Sequence, residues 1–206
     1  MPEINCSPGF PKAALRWTLG LSIALAPLPA AGQAKPAEPD LSAVRSALKK
    51  YEDPYVAIHD GYYSTLACVV IDQPGPSGHV PYKPGGMGVH FLNPAAIGPV
   101  ADPGKPQVLI YEPAGDKLKL VAAEWFIPLA TGVKARPTLW GQPFDGPMEG
   151  HPPLIPMDLT HYDLHVWLYK PNPLGTFEPT NPALTCMGHP YRLVEAAPKL
   201  VPEPKP

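Results

Sequence analysis

The stretch HYDLHVWLYKP, residues 161 to 171, constrains this chain more than any other. Its alternation has the two-residue period of a β-strand, which sends successive side chains to opposite faces of a sheet. Tyr162, Leu164, Val166 and Leu168 share one face; His161, Asp163, His165, Trp167 and Tyr169 share the other. The first face is core. The second carries two imidazoles and a carboxylate, which leaves three readings open: a metal site, a ligand-binding surface, or the wet side of a sheet.

The segments around this strand predict a mainly β (α+β) domain. Leu41, Val44 and Leu48 recur at helical spacing within DLSAVRSALKKYEDPYVAIH, behind Asp40 or Ser42 as a cap, and Pro54 ends or kinks that helix. DGYYSTLACVVID reads as a strand, MGVHFLNP as a short apolar segment, and QVLIYEP and KLKLVAAEWFIP flank the turn AGDK as a hairpin. Thirty residues from Thr131 to Thr160 show no periodicity, a length that in a compact domain points to a lid or binding loop. With 33 prolines and 18 glycines, about a quarter of the chain breaks regular structure. The expectation is an antiparallel sandwich or small barrel with one N-terminal helix and long Pro/Gly-rich loops.

Residues 1–34 have the layout of a signal peptide: Lys12 and Arg16, an apolar run from Trp17 to Ala26, then small residues. The run falls short of the roughly 20 residues that span a membrane, so no span is expected after cleavage. The domain is expected at 35–194 and a disordered tail at 195–206. Loss of the leader removes one net positive charge, so the −2 of the whole chain becomes −3, and nothing draws the chain to nucleic acid or an anionic surface. Cys6 leaves too. Cys68 and Cys186 then most simply form one disulfide in a periplasmic or secreted protein.

Same-side residues on a strand stand about 7 Å apart, so one ion is seldom reached by all of His161, Asp163 and His165, and ligands must come from neighbouring strands. His90 in GMGVHFLNP and Glu124 in LVAAEWFIP supply them; an unpaired carboxylate among Val121, Trp125, Phe126 and Ile127 would be costly. His90, Glu124, His161 and His165 together suit one divalent transition metal, Fe, Zn or Cu, because two imidazoles and a carboxylate leave coordination positions open. The alternative is a metal-free polar network, with Glu124 paired to Arg136 or to a histidine. Met87, Met148, Met157 and Met187 each precede a histidine by two to four residues, a softer pointer to copper. In FDGPMEGH, Glu149 and His151 are candidates for a lid or an acid/base pair, and Trp140, Phe144, Trp167 and Tyr169 for an aromatic platform. GxSxG, HExxH, GxGxxG and Walker motifs are absent.

GGMGVHFLNP, PQVLIYEP, LVAAEWFIP, GQPFDGPMEGH and HYDLHVWLYKPNPLGTFEPTNP, which cover most of residues 85–182, resemble a family of uncharacterised exported bacterial proteins. The resemblance implies a shared fold and transfers no activity. The function expected from the residues is an exported metal-binding protein, a cupin-like metal-dependent oxygenase or hydrolase of a small substrate; the comparison with cupins is one of architecture and ligand type. The alternatives are a non-catalytic periplasmic binder of copper or a small ligand, and an interaction domain whose histidines bind nothing.

Overall fold

Apolar stripes and strand alternation both survive into the computed structural model, which describes residues 38–75, 81–152 and 155–204. The leader reading, 1–34, lies outside these residues. Leu41, Val44 and Leu48 are buried along α1 (Ser42–Leu48), which tightens into a further helical turn through Glu52. Proline lacks the N–H that would continue the helix. Pro54 therefore starts a new short helix, α2 (Pro54–His59), with the Asp53 side chain accepting the Tyr55 N–H at 2.9 Å.

Apart from two further short helical turns, the regular structure beyond these helices is strand. In chain order these are β1 (Tyr63–Ile71), β2 (Gly85–Leu92), β3 (Val108–Ala114), β4 (Lys117–Pro128), the small hairpin β5 (Thr138–Leu139) and β6 (Gln142–Pro143), then β7 (Asp145–Met148), β8 (His161–Val166) and β9 (Arg192–Glu195). Seven of them form one curled sheet in the order β7-β8-β4-β3-β2-β1-β9. The mainly β architecture with an N-terminal helix is thus as the sequence predicts. One pair, β1 with β9, runs parallel and makes the sheet mixed.

The connection expected to be structureless from Thr131 to Thr160 contains β5, β6 and β7. Its Asp-Gly-Pro signal serves a bulge rather than a free turn: Asp145 pairs with Asp163 and Met148 with His161, with the register shifting between them. Gly146 sits there at φ +94°, where a Cβ would lie 2.6 Å from the His161 carbonyl. No other residue fits without displacing β8.

The C-terminal segment, expected to be a disordered tail, is instead seated against β7. Glu149 donates its N–H to Lys199 O and Val201 donates to Pro147 O, both at 2.9 Å, and Met148 bridges Leu200. Since β9 lies on the opposite edge and ends at Glu195, a few residues bring the chain from one edge of the sheet to the other. The β7 edge of the sheet is thereby covered by the segment that follows β9.

The expected disulfide between Cys68 on β1 and Cys186 is present, with a sequence separation of 118. It ties β1 to the segment leading into β9, next to the parallel pairing. Cross-links over loops this long stabilise by roughly 2–5 kcal/mol. Replacing both cysteines by serine should lower the urea midpoint by a corresponding amount without changing far-UV circular dichroism in buffer; an unchanged midpoint would contradict the assigned role.

Candidate functional site

The ladder registers decide which side chains share the interior. His90 pairs with Ile110, Val108 with Glu124, and Glu124 with His165. Partners in register project to one face, and so do residues two apart on a strand. His90, Val108, Glu124, Phe126, Asp163 and His165 therefore all point to the same side. The other face carries Phe91, Tyr111, Trp125 and Leu164 and packs into the core that includes Leu48 and Tyr51 of the N-terminal helix. A hydrogen bond from Tyr111 Oη to the Tyr51 carbonyl, 2.7 Å, pins the helix to that face.

On the polar side, His90, Glu124 and His165 each offer a ligand atom, and these lie within 4.8 Å of one another. Both Nε2 atoms are 3.6 Å from Glu124 Oε2. That spacing is beyond hydrogen-bond reach. Four-coordinate zinc with bonds of about 2.0–2.1 Å sets its donors about 3.3 Å apart, so small side-chain adjustments would let this group hold an ion. His165 is 1% exposed, and neither of its ring nitrogens has a hydrogen-bond partner. A buried imidazole in that condition is unusual in a finished core, and coordination at Nε2 would account for it.

Electrostatics point the same way. Burial pushes His165 well below the ordinary imidazole range and His90 down to about 4, a shift to which nearby His151 adds and which the Gly88 carbonyl opposes. Both imidazoles are neutral and ready to donate a lone pair. Burial raises Glu124, opposed by His151 and assisted by Glu195. Without a cation the carboxyl is held toward its neutral form.

His161 does not join this group. Four residues from His165 along β8 puts it about 13 Å further along the strand, out of reach of the same ion. It is fully buried, donates from Nδ1 to the Leu159 carbonyl (3.0 Å), meets Phe126 at a tilt with ring centroids 4.6 Å apart, and has Nε2 3.9 Å from Asp163 Oδ2. Burial lowers its pKa to about 3, opposed by the Leu159 carbonyl. Arg136 is not the partner of Glu124: it donates to the Phe144 carbonyl and pairs with Glu203, which also accepts from Tyr162.

The two loop candidates part company. His151 lines the cavity; Glu149 is partly exposed and bonds through its backbone N–H to the Lys199 carbonyl. The carboxylate that meets His151 is Glu195, whose Oε2 lies 2.9 Å from Nδ1. Nothing local in RLVE marks it, because the contact exists only once the sheet has closed. Asp163 was visible on the polar face of its strand; burial and the neighbouring Glu124 and Asp145 raise it well above the usual carboxylate range. The aromatic platform does not form. Trp140 meets Trp125 edge to face at 5.1 Å, Phe144 is fully buried, and Trp167 and Tyr169 donate to the carbonyls of Glu178 and Arg45.

A cavity of about 250 Å³ is lined by the group together with Leu92, Ile97, Val108, Phe126, Ile155 and Leu159, and by His151, Asp163 and Glu195. Fold and site together define a curled mixed-sheet protein with a buried two-histidine, one-glutamate group facing an apolar cavity. The chain matches no family model, no curated protein and no solved structure.

Glu124 has a higher pKa folded than its usual 4.5, so the folded state keeps a proton that the unfolded chain releases as pH rises from about 4.5 toward neutrality. Its contribution favours the fold at low pH and is lost as pH rises. In chelator-treated protein, Glu124→Gln should therefore be more stable than wild type by about 1–3 kcal/mol at pH 8 and nearly equal to it at pH 5. Urea titrations at the two pH values check this; a variant less stable at pH 8 would contradict it.

Proposed function

We propose that this protein is an exported metal-binding protein whose centre is His90, Glu124 and His165, built as a metal-dependent enzyme for a small substrate. The observation that carries the proposal is the convergence of three ligand atoms, unbonded to one another, on the wall of a largely apolar cavity. Three protein ligands leave at least one coordination position of a divalent ion open toward the cavity, and open positions are what separate catalytic from structural sites. A closed shell would need a fourth protein ligand, and among the described residues no further histidine, cysteine, aspartate or glutamate falls within the group. His151, oriented by Glu195 in the way a carboxylate fixes an imidazole tautomer, is the nearby group suited to move a proton. An ion so placed supplies Lewis acidity for hydrolysis, or a platform for oxygen chemistry if it is iron.

Export is supported by the signal-like leader and by the disulfide, which persists in oxidising compartments. Among the described residues no helix is long and apolar enough to cross a membrane.

Met87 favours a second reading, a non-catalytic copper binder, because it lines the same cavity. The other methionines lend it less. Met148 accepts from Tyr82 Oη, and Met157 and Met187 are exposed. A copper binder would hold Cu(I) through Met87 and lose it in Met87→Leu, whereas the enzyme reading expects Met87→Leu to leave zinc affinity unchanged.

Untagged mature protein, stripped and reloaded, should take up one equivalent of zinc. His165→Ala and Glu124→Ala should weaken uptake by about 100-fold or more, and His161→Ala, outside the group, should retain it. Elemental analysis after gel filtration measures this. Equal metal content in wild type, His165→Ala and Glu124→Ala would overturn the proposal.

A further inference from the structure

The three candidate ligands form only part of the cavity wall, and the rest of that wall bears on what fits inside. Four adjacent strands each contribute an apolar side chain to it: Val69 from β1, Leu92 from β2, Val108 from β3 and Phe126 from β4. The loop before β8 adds Ile155 and Leu159. Val69, Val108 and Phe126 are buried although they border the cavity. Protein interiors are packed as densely as organic crystals, with few spaces larger than a water molecule. Hydrocarbon lining a cavity of about 250 Å³ forgoes the contacts that close packing supplies. A ligand with an apolar body restores them, whereas water needs polar partners that these side chains lack.

Volume then limits the ligand. A cavity of roughly 150 Å³ holds one benzene ring, and pockets for drug-sized molecules begin at roughly 300 Å³. Scaled from benzene, about 250 Å³ takes about ten non-hydrogen atoms. That is one ring with a short side chain, or a straight chain of similar size. A nucleotide exceeds it. The limit is independent of the charge on Glu124, Asp163 and Glu195, which share the wall.

Resting on the metal reading above, we propose that the substrate brought to His90, Glu124 and His165 is a small hydrophobic molecule of about ten non-hydrogen atoms or fewer, held by apolar contact with Val69, Leu92, Val108 and Phe126. Selection is by size. Each methylene added to a chain strengthens binding until the cavity is full, and further ones weaken it.

Straight-chain primary alcohols test this because they differ only in length. Calorimetric titration of zinc-loaded protein should show affinity rising about fourfold per methylene from butanol to octanol, with dodecanol weaker than octanol by about tenfold or more. Leu159→Ala, which enlarges the cavity, should move the optimum to a longer chain, and Leu159→Trp, which fills it, to a shorter one. Destabilisation alone would not move the optimum in opposite directions. Elemental analysis of the same samples reports zinc content separately. If zinc binds but the alcohols do not, or affinity climbs through dodecanol, or both variants keep the wild-type optimum, this inference falls and the metal reading stands. If zinc does not bind at all, the metal reading falls and takes this inference with it.

Discussion

The pairing of Glu124 with His165 across β4 and β8 is the constraint on which the interior depends. Side chains alternate between faces, so slipping that register by one residue would send Glu124 into the apolar layer beneath the helix and bring Trp125 or Ala123 into the cavity. The same register sets Val108 opposite Glu124, and β3 carries it on to His90 through Ile110. Three strands are thereby committed to one polar group. What enforces the register is the opposite face: Tyr111, Trp125 and Leu164 are buried together and lose that burial in any other alignment. Burial of the opposite face thus holds the polar group in place.

Closure gives that group its chemistry. The segment from β9 to Val201 joins the two edges of the sheet and brings Glu195 to His151. Burial inside the curled sheet is why the imidazoles of His90 and His165 are depressed while Glu124 is raised. Opposed shifts of this kind leave the ligands individually uncharged and mutually unsatisfied. A bound cation would resolve all of them at once, by taking the lone pairs and stabilising the carboxylate.

Much of this was legible in the chain because it rests on local pattern. Strand alternation marked β8 and its two faces, the AGDK turn marked the β3–β4 hairpin, and Leu41, Val44 and Leu48 marked the helix. Glu124 stood out as a carboxylate in an apolar run, and His90 as an imidazole in another. His161 apart, the errors have one cause, which is that they depend on pairing between distant segments. His161 shares a face with His165, but strand rise carries it beyond the reach of the same ion. The Asp145-Gly146-Pro147 signal could not distinguish a bulge from a turn, so β7 read as loop. The Pro-rich C-terminus carries no strand pattern of its own; β7 supplies its partners. Glu195 went unnoticed for the same reason, since only closure gives it a neighbour.

The most direct test of the central claim is a crystal structure of zinc-loaded protein with anomalous data collected at the zinc edge. The account predicts one interior peak, about 2.0–2.2 Å from His90 Nε2, His165 Nε2 and a Glu124 carboxylate oxygen, with its remaining coordination facing the cavity. No peak at that position, or a peak coordinated instead by His151 and Glu195, would contradict it.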